Sequence, residues 1–216
     1  INQVYGAPVR LLGAGTGGRV HLHHYGPQQT KVAIKTFTFS SNITLESQYQ
    51  HVHNEAAITL GLKHPNVVRT YEYVCESSPS TATTTFYAVM EYCRGDLFDL
   101  VKDGALPQAT VNSLFLQMVA GVHYLHTVHR MAHRDIKLDN LCVADDGSLK
   151  IIDFGCARIL PLAGGNYTTG ICGSDPYLSP EVVADARRLY DPFALDIWSL
   201  AIVYLTLASG NFPWEI

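Results

Sequence analysis

The 216-residue sequence contains no long basic run, and its 19 Asp and Glu residues outnumber its 15 Lys and Arg residues. The resulting net charge of −4 argues against nucleic acid as the main partner. Its five cysteines are scattered, odd in number and without C-x-x-C spacing, so neither a zinc site nor a disulfide framework is favoured. This cysteine usage is typical of a reducing compartment and predicts a cytoplasmic protein.

The sequence also lacks an apolar segment long enough to cross a bilayer. Residues 195–208 come closest, but they contain Asp196 and fall short of the roughly 20 residues that a membrane helix needs. We therefore interpret them as a buried helix and predict no integral membrane segment. No signal peptide is visible, and because the first residue is Ile1 rather than Met, we expect the true N-terminus to lie outside the sequence.

The sequence divides into a strand-rich first part and a helix-rich second part, joined near residues 91–95. Residues 45–62 predict the main helix of the first part, and Pro65 ends it. Residues 77–85 are rich in Ser and Thr and predict a mobile loop. Beyond Asp96, apolar residues at helical spacing predict helices with one buried face. The predicted strands lie at residues 9–12, 19–23, 32–35, 67–74, 86–92 and 149–152.

The motifs HRDIKLDN and DFG in the second part indicate the chemistry of the chain. Asp135 can receive a hydroxyl proton, and Lys137 can meet a phosphate during its transfer. Asn140 and Asp153 offer the hard oxygen ligands that Mg²⁺ prefers. The pattern H-R-D-x-K-x-x-N followed by D-F-G is close to unique to protein kinases. Over nearly all of its length, the sequence resembles a eukaryotic-type protein kinase.

This resemblance implies an α+β, bilobal fold with a strand-rich N-lobe, one main N-lobe helix and a helical C-lobe whose C-terminal helices are missing. The expected boundaries are residues 1–91 for the N-lobe, 92–95 for a hinge and 96–216 for the C-lobe. ATP and Mg²⁺ are the implied cofactors, and a Ser or Thr hydroxyl of a protein is the implied acceptor. Lys137 favours this acceptor, because tyrosine kinases of the family usually lack that lysine. Ser174 supports it, because a Thr at this place commonly contacts the catalytic aspartate and lysine.

Gly13, Gly15 and Gly18, followed by Val20, form the pattern G-x-G-x-x-G-x-V within a predicted strand–turn–strand hairpin. This context excludes the dinucleotide-binding fold and the Walker loop, because both of those loops open a helix. The pattern matches instead the loop that covers the nucleotide phosphates in protein kinases.

Lys35, at the end of the sequence VAIK, matches the kinase lysine that meets the α and β phosphates of the nucleotide. The resemblance implies a carboxylate partner on the predicted helix at residues 45–62. Glu55 is the expected partner. Glu46 is the alternative, although it lies too near the start of the helix. This ion pair is a hallmark of the active arrangement.

The resemblance also implies the remaining nucleotide contacts. Cys142 replaces the leucine more usual at the floor of the adenine site, where it acts either as a small hydrophobe or as an anchor for thiol-directed ligands. Met90 falls at the family's gatekeeper position. The expected contacts are Val20 and Ala33 above the adenine, Cys142 below it, the backbone of Glu91 and Cys93 at its edge, and Asp96 at the ribose.

Residues 153–181 correspond to the activation segment of the family. Gly170 occupies the place where many kinases carry an activating phosphothreonine. Two alternatives therefore stay open. An upstream kinase acts on the neighbouring Thr168 or Thr169, with Arg134 present to pair with the phosphate, or the segment is ordered without phosphorylation.

Within the kinases, the sequences HRDIKLDN and CGSDPYL resemble the fungal halotolerance and nitrogen-permease-reactivator group, whose members regulate plasma-membrane transporters. This resemblance implies signalling in a nutrient or ion response. Asp196 is expected to cap the backbone of the catalytic loop. Glu181 is expected to be buried and to lack an arginine partner, and apolar residues cover all sides of the helix at residues 195–207. We therefore expect an incomplete catalytic domain with poor stability.

Two other functions remain as alternatives. A catalytically inactive, pseudokinase-type binding module would be consistent with Gly170 and Cys142. A small-molecule kinase of similar fold is disfavoured by residues 173–181, which match a segment that serves peptide substrates.

Overall fold

A computed structural model describes residues 1–15, 17–78, 83–102, 104–162, 165–185 and 187–214. The chain divides into two compact units. The first comprises Ile1–Lys63 and Val68–Cys93, and the second comprises His64–Val67 and Arg94–Ile216. The first unit is mostly sheet and the second mostly helix, which confirms the predicted α+β class.

A five-stranded antiparallel sheet with the order β1-β2-β3-β5-β4 forms the first unit. One face carries Phe37, Phe86 and Ala88, which pack against Val52 of the main helix α2. Helix α2 begins after Thr44, whose side chain accepts a hydrogen bond from the backbone N–H of Ser47. The elements are α1 (Asn2–Tyr5), β1 (Arg10–Gly15), β2 (Gly18–Tyr25), β3 (Thr30–Phe37), α2 (Leu45–Thr59), β4 (Thr70–Ser78) and β5 (Thr83–Glu91).

The predicted loop at residues 77–85 is wrong at both of its ends. Ser77 and Ser78 close strand β4, where they pair with Thr84 and Thr83 of strand β5. The threonines explain the difference, because β-branched side chains favour a pleated strand even where the composition is polar. Residues 79–82 of the predicted loop lie outside the described residues.

The second unit consists of helices and short strand pairs. Strands β6, β8 and β9 form a three-stranded sheet, and β7 pairs with β10. Two 3₁₀ turns, Leu138–Asn140 and Asp175–Tyr177, lie between these elements. The elements are β6 (Gly95–Asp96), α3 (Leu97–Val101), α4 (Gln108–Val128), β7 (Met131–Ala132), β8 (Leu141–Val143), β9 (Leu149–Ile151), β10 (Arg158–Ile159), α5 (Pro180–Ala184) and α6 (Pro192–Ser209).

Helix α4 buries one face, as its apolar periodicity predicts. The buried side chains along it include Val111, Leu114, Met118, Val122 and Leu125. The packing is close: a Cβ added at Gly121 would lie 2.7 Å from Ile151 Cδ1 and 2.9 Å from the Asn66 carbonyl oxygen. A glycine on the buried face therefore lets the helix approach strand β9.

Helix α6 begins after Asp191, whose side chain accepts from the N–H of Phe193, and ends at Gly210 in the left-handed conformation. Within the part of the chain that the structure describes, it is the only helix whose length and composition would suit a membrane span. Its burial is that of a core helix on one side only. Asp196 is fully buried, whereas Ile197 is 57% exposed, so α6 carries apolar side chains on an open side as well as on its buried side.

Candidate active site

The glycine-rich sequence forms the hairpin of β1 and β2, in which Gly13 pairs with Val20 and Gly15 with Gly18. Gly18 has φ +139°, and a Cβ there would collide with the carbonyl oxygen of Thr36 on β3. A side chain at this position would therefore push β2 away from β3. The exposed Gly13 and Gly15 have no atom within 4 Å of an added Cβ, so the backbone of this hairpin is open to a ligand.

Lys35 on β3 and Glu55 on α2 form the expected ion pair, with Lys35 Nζ 2.9 Å from Glu55 Oε1. Both side chains are largely shielded from water, so the attraction is weakly screened. A Cβ at Gly17 would lie 3.8 Å from Lys35 Nζ, which places the glycine hairpin beside the ammonium group. The hairpin backbone and the Lys35 ammonium group together offer the N–H donors and the positive charge that phosphate oxygens bind.

Glu55 has further support inside the first unit. The Tyr73 hydroxyl contacts Glu55 Oε1 at 3.5 Å and lies 2.9 Å from Thr59 Oγ1. Burial, together with the nearby Glu55 charge, raises the pKa of Tyr73 far above its ordinary value, so its hydroxyl stays protonated and can donate. The alternative partner Glu46 is exposed in the first turn of α2.

Some of the residues expected around the adenine lie in the first unit, and the others lie in the second. In the first unit, Ala33 is buried on β3 and pairs with Met90 of β5. Glu91 N donates to Arg69 O at 2.8 Å, so this backbone N–H group is already engaged within the first unit. In the same unit, half-buried Val20 pairs with Lys35, and half-buried Cys93 follows β5.

In the second unit, Cys142 of β8 pairs directly with Asp96 of β6. Asp96 Oδ1 caps helix α3 by accepting from Asp99 N at 2.9 Å. Burial raises the pKa of Asp96 above its usual value. The predicted ribose ligand therefore already has one carboxylate oxygen engaged in a helix cap.

Asp135 lies at the centre of a polar cluster in the second unit. Its Oδ1 accepts from Ser174 Oγ at 3.0 Å, and its Oδ2 accepts from Asn140 Nδ2 at 2.9 Å. Lys137 Nζ lies 3.1 Å from Asp135 Oδ2 and donates to Ser174 Oγ at 2.8 Å. The predicted contact of Ser174 with both Asp135 and Lys137 is confirmed.

Asp196 fixes the backbone that carries Asp135. Its two carboxylate oxygens accept from the N–H groups of His133 and Arg134 at 2.8 and 2.7 Å, and His126 Nε2 lies 2.8 Å from Oδ2. These bonds confirm the predicted capping role. Arg134 has φ +67°, a left-handed conformation that is uncommon for non-glycine residues and that these hydrogen bonds stabilise.

His133 connects this loop to the DFG motif. Its Nδ1 accepts from Asp135 N at 3.3 Å, so its Nε2 carries the proton and donates to Ile152 O at 3.0 Å. Its ring also meets Phe154 edge to face, with centroids 5.2 Å apart. Asp153 between them has φ +60°, and its Oδ1 accepts from Gly155 N at 3.1 Å.

Asn140 and Asp153 have the chemistry that Mg²⁺ needs. Asn140 uses its amide nitrogen for both bonds to Asp135, which leaves the side-chain oxygen for a cation. The backbone carbonyl oxygen of Asn140 accepts from Ile152 N at 3.0 Å, so the segments that carry Asn140 and Asp153 lie side by side. No cluster of three or more His, Cys, Asp or Glu side chains that could hold a metal occurs among the described residues. One carboxylate and one amide suit Mg²⁺, which takes its other ligands from water and phosphate.

Comparison with known sequences decides the family. The protein kinase domain family matches residues 7–216. The chain belongs to the protein kinase family. It is 40% identical to "Serine/threonine-protein kinase oca2" of Schizosaccharomyces pombe, over 98% of this chain and 32% of that protein. It is 38% identical to "Nitrogen permease reactivator protein" of Saccharomyces cerevisiae, over 95% of this chain and 25% of that protein.

A further relative is "Serine/threonine-protein kinase hal4" of Schizosaccharomyces pombe, which is 32% identical over 99% of this chain and 34% of that protein. These matches confirm the resemblance to the fungal halotolerance and nitrogen-permease-reactivator kinases. The chain spans about a quarter to a third of the length of these relatives.

In this kinase domain, Arg134 forms hydrogen bonds with the backbone of the activation segment. The guanidinium donates to the Tyr190 hydroxyl at 2.9 Å and to the carbonyl oxygens of Gly170 at 3.1 Å and Cys156 at 3.5 Å. Thr168 is buried, and its backbone pairs with Tyr190, whereas Thr169 is exposed. The arginine expected for phosphate recognition is thus already hydrogen-bonded within the segment.

Two sequence-based expectations about the kinase domain are wrong. Cys156 and Cys172 form a disulfide, although the cysteine spacing favoured none. The two residues are 16 positions apart in the sequence, so no local pattern signals that they meet. Glu181 is exposed and accepts from Ser179 Oγ at 2.7 Å, so it is not a buried carboxylate without a partner.

Tyr190 and His126 are site residues that the sequence did not reveal. Tyr190 anchors Arg134 and Gly170, and His126 contacts Asp196. Each contact joins residues at least 20 positions apart, because the partners come from different elements. The one sequence-based prediction near these two residues was that Asp196 caps the backbone of the catalytic loop.

Proposed function

We propose that the chain is the catalytic domain of a serine/threonine protein kinase, which transfers the γ-phosphoryl group of ATP to a Ser or Thr hydroxyl of a protein. The observation that carries the proposal is a polar cluster in which Asp135 contacts Lys137, Asn140 and Ser174, and Lys137 also contacts Ser174. Such a cluster joins a proton acceptor, a cation and a cation ligand, which are the groups that phosphoryl transfer needs.

Each residue has a role that follows from its contacts. Asp135 accepts the proton of the attacking hydroxyl, and its two engaged oxygens hold the carboxylate in one orientation. Lys137 neutralises charge on the transferred group, since its ammonium lies beside Asp135 and Ser174. In the first unit, Glu55 orients Lys35 for the α and β phosphates, and the hairpin of Gly13, Gly15 and Gly18 covers them.

Asn140 and Asp153 would hold Mg²⁺, which shields the phosphate charges when it is bound. Val20, Ala33, Cys142 and the backbone of Glu91 and Cys93 would contact the adenine, with Asp96 at the ribose. These nucleotide roles rest on the resemblance to protein kinases and on the fit of the residue types.

We also propose a role in a nutrient or ion response, regulating a membrane transporter, in the cytoplasm. The name of the nitrogen permease reactivator supports this role.

We propose N-lobe boundaries at residues 1–91, a hinge at 92–95 and a C-lobe at 96–216. Any upstream kinase would act on Thr169 rather than Thr168, because Thr169 is the exposed hydroxyl.

The test is transfer of labelled phosphate from MgATP to three peptides that differ only in a central Ser, Thr or Tyr. We expect transfer to the Ser and Thr peptides. The Asp135→Asn variant should abolish it, because the amide cannot take the proton. Asp139→Asn is the matched control, since Asp139 is an exposed carboxylate of the same loop.

Nucleotide binding is measured in parallel as a thermal shift with ATP, with and without Mg²⁺. A Mg²⁺-dependent shift without transfer to any peptide would contradict the proposal and favour a pseudokinase-type binding module. Equal transfer by the Asp135→Asn variant would contradict the assignment of the proton acceptor.

A further inference from the structure

The disulfide between Cys156 and Cys172 joins two functional parts of the second unit. Cys156 directly follows the DFG motif, and Cys172 lies two residues before Ser174, which contacts Asp135 and Lys137. The two Cα atoms are 6.0 Å apart, within the usual range for bonded cysteines. The bond therefore closes the activation segment into a ring whose two ends both lie at the catalytic loop.

Arg134 of the catalytic loop contacts both ends of this ring. Its guanidinium donates to the carbonyl oxygen of Cys156 at 3.5 Å and to that of Gly170 at 3.1 Å. Tyr190 adds a second anchor, because its hydroxyl also donates to Gly170 O at 3.1 Å. The groups that would otherwise bind an activating phosphate are thus occupied by the backbone next to the two cysteines.

The Cys172 end of the ring also lies against the catalytic loop. Gly173 has φ +117°, and a Cβ there would lie 2.6 Å from the Arg134 carbonyl oxygen, so the segment runs directly against the catalytic loop. This approach delivers Ser174 to Asp135 and Lys137. Only Gly173 separates Cys172 from Ser174, so forming or breaking the disulfide acts directly beside the catalytic cluster.

We propose that Cys156 and Cys172 are a site of reversible thiol oxidation, and that the disulfide holds the activation segment in its substrate-competent arrangement in place of a phosphate. This inference rests on the proposed kinase function. Both sulfur-bearing residues are half-buried, and their neighbours Gly155 and Ile171 are exposed, so small oxidants and reductants can reach the pair. In a reducing compartment, a disulfide is usually transient and redox-sensing rather than a permanent staple.

Hydrogen peroxide is the oxidant class that we name. One cysteine thiolate attacks a peroxide oxygen and the O–O bond breaks. A sulfenic acid forms, and the leaving hydroxide takes a proton from solvent to give one water. The second thiolate attacks the sulfenic sulfur, the S–O bond breaks, and the leaving hydroxide takes a proton to give the second water. Two thiols lose two electrons in total, and one peroxide is reduced to two waters. A small dithiol reverses the step by thiol–disulfide exchange.

The experiment compares the full chain after hydrogen peroxide and after dithiothreitol, with excess reagent removed. Non-reducing peptide mapping shows whether Cys156 and Cys172 are joined. Hydrogen exchange of peptides from residues 165–174 reports the order of the segment without requiring activity. The kcat/KM for a Ser peptide gives the functional effect. Cys156→Ser and Cys172→Ser each remove the bond, and Cys75→Ser is the control because Cys75 is an exposed free thiol.

We expect a Cys156–Cys172 cross-link after peroxide, slower exchange in residues 165–174, and a kcat/KM at least about tenfold above that of the reduced chain, all reversed by dithiothreitol. Both single variants should stay at the reduced rate, and Cys75→Ser should behave like the parent chain. Absence of the cross-link, or equal exchange and equal rates in both states, would overturn the proposal, as would a lower rate in the oxidised chain. No phosphate transfer in either state would refute the proposed kinase function. The cross-link and the exchange data would then still decide whether the redox site exists.

Discussion

Ser174 is the residue that joins the activation segment to the catalytic loop, because its single hydroxyl donates to Asp135 and accepts from Lys137. We expect Ser174→Ala to lower kcat/KM for a peptide substrate by about 10- to 100-fold, since a hydrogen bond to a charged group contributes about 1.5–3 kcal/mol. Steady-state kinetics at saturating MgATP measure the effect.

Ser174→Thr is the matched control, because it keeps the hydroxyl and should retain most of the activity. If Ser174→Ala keeps the parent kcat/KM, the hydroxyl has no positioning role. A fall in Tm of the alanine variant together with its activity would show that the loss is structural instead.

At the scale of elements, Asp196 ties helix α6 to the loop between β7 and the 3₁₀ turn Leu138–Asn140. In Asp196→Ala, the N–H groups of His133 and Arg134 would be buried without these acceptors. We expect the free energy of unfolding to fall by about 2–5 kcal/mol. Urea unfolding followed by tryptophan fluorescence suits this test, because Trp198 and Trp214, the two tryptophans of the chain, both lie in the second unit.

Asp196→Asn retains one acceptor oxygen, so its loss should be smaller than that of Asp196→Ala. Equal stability of the alanine variant and the parent chain would mean that water replaces the carboxylate, contrary to its complete burial.

Gly121 sets the distance between helix α4 and strand β9. Alanine there would raise helix propensity by about 1 kcal/mol, but its Cβ would lie 2.9 Å from the carbonyl oxygen of Asn66. Asn66 cannot move easily, because its side chain donates to Gln117 and to the backbone of Leu149. We expect Gly121→Ala to lower the free energy of unfolding by about 1–3 kcal/mol in the same urea assay.

The control for this substitution is Gly61→Ala. No atom lies within 4 Å of an added Cβ at Gly61, so that variant should be as stable as the parent chain or slightly more stable. A stable Gly121→Ala variant would show that helix α4 can shift away from β9 without cost.

The sequence predicted those parts of the fold and site that depend on local pattern. Residues 13–20 predicted a hairpin, and HRDIKLDN predicted the loop around Asp135. Residues 45–62 predicted a helix, which the structure has at Leu45–Thr59. Contacts between distant segments were predictable only through the family resemblance, as with the pair of Lys35 and Glu55. Without such guidance, the contact of Arg134 with Tyr190 and the disulfide went unpredicted, because both depend on how irregular segments fold back.

At the scale of the whole chain, an apolar groove is open between helices α4 and α6. Val119, Ile197 and other side chains of α4 and α6 line a groove of about 280 Å³. Exposed apolar surface of this kind promotes association. We expect Ile197→Lys to reduce concentration-dependent association in analytical ultracentrifugation, with the free energy of unfolding nearly unchanged because Ile197 is already 57% exposed.

Leu200→Lys provides the contrast. Leu200 lines the same groove but is only 3% exposed, so a lysine there should unfold the second unit rather than improve its solubility. If Ile197→Lys associates as strongly as the parent chain, the groove is not the contact surface.

The ring closed by Cys156 and Cys172 also changes what a protease can do to this molecule. Leu162 lies inside the ring and is 89% exposed, which makes it a natural site for chymotryptic cleavage. A cut there opens the backbone but releases no fragment, because the sulfur bridge still connects the two halves. Such a nicked chain would run as one band on a non-reducing gel and as two on a reducing gel.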